Sequence, residues 1–577
     1  MASVDGGELL VRMLKRAGVN EAFVLHGGHL DAIFQAALDH GLRLIDVRHE
    51  QAAGHAADGW ARTTGRLGVA IVTAGPGVTD IVTGVANAYL DCSPILVIGG
   101  AAPLVDAETL PLQGGIDQVE LMRPITKWAH RVTHTHRIPD LVAQAIRVAT
   151  TGRPGPVFLE VPADVLFARV DESRAVFLER IVPEAPPAPP ADAVERCIEW
   201  LAKAERPAIL AGGGAWFSGA GDLLREFAEL TGIPVFANSK ARGIVPDDHP
   251  LSGRGFMTLP MAAATGSAPP DVALLLGARL GLFTGGRGGG FVRSARLIQV
   301  DIEGEEIGRN RDVDLGIVAD CREALKAFIA AAKERRWTRR DEWLGAVERA
   351  KGLSALMFAE AIRNETTPIH PYRLAHEIAQ ALEPDAIIVA DGGETASWMD
   401  MAAVVRGGGH WLSHGYLGCL GTGMPFAIAA QVAHPGRQVL CIIGDGSVGL
   451  NFAEFDTMAR HGLPIVTVVN NDQQWGMSLH GQELIYGRDR IVATELGPTR
   501  YDLAAQGFGC HAELVERPGE IGPAIRRAFE SGKPACLNVM TDPRVIAPVT
   551  QAMVGGVKPK ESAPGKVSMP YYGEREV

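Results

Sequence analysis

Only seven cysteines occur in 577 residues, and no two stand as a C-x-x-C pair. That gives neither a zinc site of the usual spacing nor a disulfide framework, so a reducing cytoplasm is the expected compartment. Long apolar runs are also missing. The best, ILVIGGAAPLV and VLCIIG, are too short to span a membrane and read as buried strands with their exits. Basic residues are outnumbered, with 55 Lys and Arg against 67 Asp and Glu for a net charge of -12. This argues against a nucleic-acid partner while leaving room for a local basic pocket. The opening MASVDGGELLVRML lacks a basic stretch before a long apolar run, so no secretory leader is expected.

What is present is an ordinary globular composition, 47% hydrophobic and 21% charged, in a chain too long for one core. Apolar β-branched runs such as FVLHGG, VAIVTAGPG, PILVIGG and VFLEVP alternate with helix-like segments. This βαβ rhythm predicts parallel sheets covered on both faces. The expected fold is α/β, with three doubly wound parallel-sheet domains over 1–170, 194–335 and 369–545. A Pro/Ala-rich linker is expected at 171–193 and a charged helical connector at 336–368. The tail, 546–577, reads either as disordered or, through Met569, Tyr571 and Tyr572, as a lid over a site.

The stretch GDGSVGLNFAEFDTMARHGLPIVTVVNND, Gly444 to Asp472, carries the chemistry. The strand QVLCIIG runs into Gly444-Asp445-Gly446, a turn whose backbone N–H groups can approach a phosphate at a helix start. A second strand delivers Asn470 and Asn471. Parallel neighbours end on one sheet edge, so Asp445 and Asn471 can meet there. Mg²⁺ takes few protein oxygens and completes its shell from phosphates and water. A lone GDG is a common turn; GDG with NN after a helix and a strand predicts a magnesium-clamped diphosphate.

This pattern resembles the thiamine-diphosphate enzymes of the acetolactate synthase, oxalyl-CoA decarboxylase and 2-hydroxyacyl-CoA lyase superfamily. The resemblance covers nearly the whole chain and implies a pyrimidine-binding, a central nucleotide-binding-like and a diphosphate-binding domain. It implies Mg²⁺ ligands at Asp445, Asn471 and the Gln473 carbonyl, and cofactor contacts at Gly393, Glu394, Gly446 and Ser447. In the loop SHGYLGCLGTGMP it assigns a carbonyl to Gly418 and the ring-bending apolar wedge to Leu420. Gly28, Gly476 and Met477 complete that set. In LIDVRHEQAAGHAADGWART, Glu50 takes the place of the carboxylic acid that drives tautomerisation of the cofactor's aminopyrimidine. A carboxylate in a first helical turn is the plainer reading. In the family this acid serves a cofactor held mainly by the neighbouring subunit, which implies a dimer or tetramer.

Several features resemble the 2-hydroxyacyl-CoA lyases, and among them the actinobacterial enzymes that release acetone and formyl-CoA from 2-hydroxyisobutyryl-CoA. IQVDIEGEEIGRN resembles a central domain that holds ADP or CoA, and LQGGIDQVELMRPITKW resembles the lyase Q-x-x-D-Q-V-E region. His29, in HGGHLD, and Gln113 would face the substrate hydroxyl and thioester carbonyl, with His29 able to shuttle a proton; His29 also reads as a plain helix-start residue. Glu495 is a candidate acid or base, or else a first-turn helix carboxylate, and Ala493 is expected within reach of the substrate. For CoA, Arg279, Asp301 and Asp320 are implied by position, with surface ion pairs as the plainer reading, and Lys558 and Lys560 of the tail would meet phosphates. Acetolactate synthase is the second reading. Its V-x-x-W-Q segment is replaced by NNDQQWGMSLHGQELIYG and its R-F-D-D-R pattern by GARLGLFTGGRGGG, although the GM is synthase-like. Oxalyl-CoA decarboxylase and a non-catalytic scaffold are the remaining readings.

Overall fold

The computed structural model describes residues 3–286, 289–561 and 564–576, apart from the side chains of Lys560 and Glu576. Its contacts divide the chain into two units, residues 1–353 with 405–419, and residues 354–404 with 420–577.

The first unit holds two parallel sheets. In one, β1 (Glu21–Leu25), β2 (Arg43–Asp46), β3 (Gly68–Val72), β4 (Ile95–Ala101), β5 (Trp128–Arg131) and β6 (Val157–Pro162) lie in the order β2-β1-β3-β4-β6-β5. In the other, β7 (Pro207–Ala211), β8 (Val235–Ala237), β9 (Ser252–Gly255), β10 (Val272–Leu276), β11 (Arg296–Asp301) and β12 (Leu315–Val318) lie in the order β9-β8-β7-β10-β11-β12. Alternation along β10 shows the double winding. Val272, Leu274 and Leu276 enter one core, and Ala273 and Leu275 enter the core on the opposite face.

In the second unit, β13 (Ile387–Asp391), β14 (Val439–Gly444), β15 (Val466–Asn471), β16 (His511–Val515) and β17 (Ala535–Met540) run in the order β13-β14-β15-β17-β16. Gly444 pairs opposite Asn470, which brings the GDG and NN turns to one edge of the sheet.

The segments outside the three sheets differ from expectation. The expected linker is irregular from Ala175 to Pro190, and mostly exposed from Pro183 to Pro190. Phe177, earlier in the expected linker, packs on the first domain under the guanidinium groups of Arg12 and Arg16, 4.9 and 4.6 Å from its ring centre. The expected connector begins with a helix, Asp341–Lys351, whose Trp343, Ala346, Val347 and Ala350 complete a core of the central domain. Charge-rich composition hid that stripe. The tail is ordered where it is described, as a helix, Pro548–Val554, and a hairpin of Lys566–Met569 with Gly573–Glu576.

Candidate cofactor and active site

In the first unit, α1 (Glu50–Thr64) follows β2. Its small residues have a packing reason. A Cβ on Gly84 would lie 2.9 Å from the Gly54 Cα, so α1 and the helix Val82–Leu90 cross almost backbone to backbone. Farther along, Arg62 pairs with Asp58 at 2.7 Å and Asp91 at 2.6 Å, all buried. Glu50 begins the helix beneath the His49 cap, whose Nδ1 accepts the Gln51 N–H at 3.1 Å. Its carboxyl is buried, and burial raises its pKa, with Asp80 adding to the shift and its own backbone N–H opposing it. The group therefore keeps its proton to higher pH than a free glutamate.

Around Glu50 stand the other turns of that sheet edge. A Cβ on Gly77, in the turn after β3, would lie 3.5 Å from Glu50 Oε1, and one on Gly75 would lie 3.0 Å from the Gln113 Cβ. Gln113 is held at φ +58°. His29, half-buried, sits in the 3-10 turn Gly28–Leu30 before the helix Asp31–His40, and its Cβ packs on Gly100 at the end of β4. Gly28 is open to solvent, with no atom within 4 Å of an added Cβ.

In the second unit three turns converge, after β13, β14 and β15. Gly392 has φ +99°, a Cβ on Gly446 would strike the Trp475 ring at 2.6 Å, and one on Gly393 would meet the Met477 sulfur at 2.8 Å. Such a cradle lets a diphosphate approach main-chain N–H groups. Asp445 and Ser447 are buried in a helical turn of only four residues. Asp445 Oδ1 accepts the Gly446 N–H at 3.0 Å, while its Oδ2 is buried with no donor among the described residues, as a metal ligand's would be. Burial pushes the Asp445 carboxyl up to about 6. Burial, and then the neighbouring Asp445 and Glu394, push Asp472 well above its ordinary range. These acids ask for a cation. Asn471 donates to Asn538 Oδ1 at 2.9 Å and the Thr499 carbonyl at 3.2 Å, and its oxygen faces the Gln473 N–H at 3.2 Å. Gln473 stands at φ +60°, and its carbonyl accepts from Leu496 N at 2.7 Å, which leaves its second lone pair for a metal. The residues thus fit Mg²⁺ and a diphosphate.

Other sites differ from expectation. Glu394, at the start of α2 (Gly393–Ala402), is bound by protein. His480 Nδ1 lies 3.0 Å from both of its oxygens and Thr550 donates to Oε1. His480 lies on α3 (Gly476–Tyr486), and its Nε2 is 2.8 Å from the Pro543 carbonyl. Burial opposes the charge of that imidazole, but the Glu394 carboxylate outweighs it and raises the pKa. Glu495 is exposed and starts no helix; it makes an antiparallel bridge to Gln474. Ala493, also exposed, adopts φ +57°. Leu420 is half-buried and Gly418 takes φ +66°. Asp472, His480 and Thr550 were not picked out from sequence. The Asp of NND was the signal for the first, while the other two declare themselves only through Glu394, 86 and 156 residues away.

At the central sheet, Asp301 ends β11 buried, accepts the Glu303 N–H at 3.0 Å, and is pushed by burial up to about 6. Arg279 donates to the Leu90 carbonyl at 2.8 Å and stacks on Tyr416, 4.7 Å from the ring centre. Asp320 instead caps the helix Cys321–Lys333, accepting the N–H groups of Arg322 and Glu323 at 2.8 and 3.1 Å. Lys558 pairs with Glu561 at 2.9 Å, and the Lys560 side chain lies outside the described residues.

Comparison with known proteins matches residues 4–121 to the N-terminal TPP binding domain of thiamine pyrophosphate enzymes, 194–328 to their central domain and 391–539 to their C-terminal TPP binding domain. A probable acetolactate synthase of Mycobacterium bovis is 36% identical over 548 residues, covering 95% of this chain and 97% of that protein. A probable acetolactate synthase large subunit of Methanocaldococcus jannaschii is 33% identical, covering 95% and 93%. The 2-hydroxyacyl-CoA lyase 2 of Bos taurus is 32% identical over 578 residues, covering 93% and 90%.

Proposed function

Because the chain belongs to the family of thiamine pyrophosphate enzymes, we propose that it is a lyase cleaving the C1–C2 bond of a 2-hydroxyacyl-CoA to formyl-CoA and a ketone or aldehyde. The substrate proposed is 2-hydroxyisobutyryl-CoA, with acetone as the second product, and the reverse reaction is an acyloin-type condensation. One observation carries the reading: two polar side chains, His29 and Gln113, stand on the sheet edge that holds Glu50. A 2-hydroxyacyl thioester offers a hydroxyl and a carbonyl for such groups. The replaced V-x-x-W-Q and R-F-D-D-R segments add support.

Thiamine diphosphate, when bound with Mg²⁺, supplies the electron sink for the broken C–C bond. Asp445, Asn471 and the Gln473 carbonyl hold the metal, and the turns at Gly393 and Gly446–Ser447 hold the diphosphate. Leu420, Gly418, Gly476 and Met477 shape the rings' site. Glu50 would hold a proton beside the cofactor's aminopyrimidine ring. His29 accepts the substrate's hydroxyl proton and Gln113 donates to the thioester carbonyl. Asp301 and Arg279 bind the nucleotide end of CoA, or ADP. Glu50 serves a cofactor held by a second copy, so the enzyme works as a dimer or tetramer in the cytoplasm. Among the described residues no helix is long and apolar enough to cross a membrane.

The second reading, acetolactate synthesis, is favoured by the relatives 36% identical to this chain. Separate incubations with 2-hydroxyisobutyryl-CoA, lactoyl-CoA and pyruvate, with thiamine diphosphate and Mg²⁺, decide between them by mass. Formyl-CoA with acetone is the expected result. Acetolactate from pyruvate, with no formyl-CoA, overturns the lyase reading.

A further inference from the structure

Gln118 belongs to the stretch QGGIDQVE, Gln113 to Glu120, but has no part in the reading above. It is 3% exposed and opens the short helix Gln118–Met122 behind the Asp117 cap. Its Oε1 accepts the Gly75 N–H at 2.7 Å, and its Nε2 donates to the Gly100 carbonyl and to Glu160 Oε2, both at 3.0 Å. A backbone N–H only donates and a carbonyl only accepts, so these partners fix which way the amide faces. Glu160, 1% exposed, is itself paired with Arg131, its register partner on the neighbouring strand. One side chain therefore ties together the ends of β3, β4 and β6.

The tie falls on an unusual piece of backbone. Gly75 has φ +64° and ψ −109°, a conformation that an L side chain rarely adopts. On its far side the same turn runs beside both groups: a Cβ on Gly75 would lie 3.0 Å from the Gln113 Cβ, and one on Gly77 would lie 3.5 Å from Glu50 Oε1. We propose that Gln118 is a positioning residue that fixes the Gly75–Gly77 turn through the Gly75 N–H, and thereby sets where the Glu50 carboxyl and Gln113 stand. The proposal rests on the reading of Glu50 as the acid beside the cofactor's pyrimidine ring. Small displacements of such groups cost rate far more than binding, because the reacting geometry is narrow.

Three variants test it in the full-length protein with thiamine diphosphate and Mg²⁺. Gln118→Met keeps the length and loses every hydrogen bond. Gln118→Glu keeps an acceptor for Gly75, and its protonated oxygen can donate to Glu160. Glu50→Gln is the control. Exchange of the cofactor's C2 proton for deuterium is followed by NMR, cofactor affinity by calorimetry, folding by thermal melting, and kcat and KM with 2-hydroxyisobutyryl-CoA. Gln118→Met is expected to slow exchange and kcat together by about 10- to 100-fold, with cofactor affinity and KM within about 3-fold. Gln118→Glu is expected to restore exchange to within about 3-fold of the parent. Parent-like exchange in folded Gln118→Met, or a Gln118→Glu protein as slow as Gln118→Met, overturns the proposal. Should Gln118→Met fail to fold, Gln118→Glu decides alone: exchange within about 3-fold supports the tie, and a 10-fold loss refutes it. A Glu50→Gln control that exchanges like the parent refutes the underlying reading of Glu50; a slow control with fast Gln118→Met refutes only the role of Gln118.

Discussion

Asp445, Asp472 and Glu394 crowd three carboxyl groups into one buried edge of a sheet, and the protein deals with each differently. Asp445 and Asp472 are both pushed upward by burial, and Asp472 further by the charges of Asp445 and Glu394, while Asp472 acts on Asp445 in the opposite direction. A metal needs the deprotonated carboxylate, so protons compete with it. Loading of Mg²⁺ with thiamine diphosphate is therefore expected to weaken as pH falls through about 6, approaching a 10-fold loss per pH unit below that range. Calorimetric titrations from neutral pH downward check this; a flat profile would contradict the ligand role of Asp445. Glu394 is matched inside the protein, by His480 and Thr550. Removing the imidazole with His480→Leu strands a buried carboxylate and is expected to cost about 3–5 kcal/mol in denaturant unfolding. Adding Glu394→Gln should return part of that, because the stranded charge is gone. At this scale GDG and NN were legible because their spacing is local. The partners of Glu394 were not, because nothing along the chain announces which histidine folds back to it.

Elements were read best where apolar runs are short and β-branched and end in glycine. β3 and β14 are examples, the first buried throughout and the second all but its last residue, Gly444. Where polar residues surround a narrow apolar stripe, the helix was read but what it packs against was missed. In the helix Asp341–Lys351, Trp343 donates from Nε1 to the Pro207 carbonyl at 2.9 Å, an anchoring contact that charge-rich flanks concealed. The same difficulty applies to Asp320, where an acid after a strand suits a ribose equally with a helix cap. The structure gives it the cap. Asp320→Ala is expected to lower stability by about 0.5–2 kcal/mol while leaving the KM for the acyl-CoA unchanged. Thermal melts beside steady-state kinetics separate the two roles, and a raised KM with an unaltered melt would restore the nucleotide role.

For the whole molecule, three sheet domains were legible because each repeats the βα rhythm. The two-unit division was not, since it depends on contacts far apart in sequence, such as Asp91 with Lys240 at 3.5 Å and Arg153 with Glu306 at 2.7 Å. The tail shows what composition misses. Tyr571 donates to the Met477 carbonyl at 3.3 Å, its hydroxyl lies 2.7 Å from where a Gly481 Cβ would sit, and Thr550 reaches Glu394. Truncation after Ala547 is expected to raise the KM for the acyl-CoA, as loss of a closing tail would. It is also expected to weaken thiamine diphosphate binding several-fold, because Glu394 loses a donor. Kinetics and calorimetry on one truncated protein test both, and wild-type values in each would dismiss a role for the tail.

The contact between Thr550 and Glu394 also sets an order of events during synthesis. The two residues are 156 positions apart, which at ~5–20 residues per second separates their appearance by roughly 8–30 s. Through that interval Glu394 in the nascent chain lacks the hydroxyl that donates to it. A ribosome-bound chain thus carries a Glu394 whose hydrogen bonding is completed only as the helix Pro548–Val554 is translated.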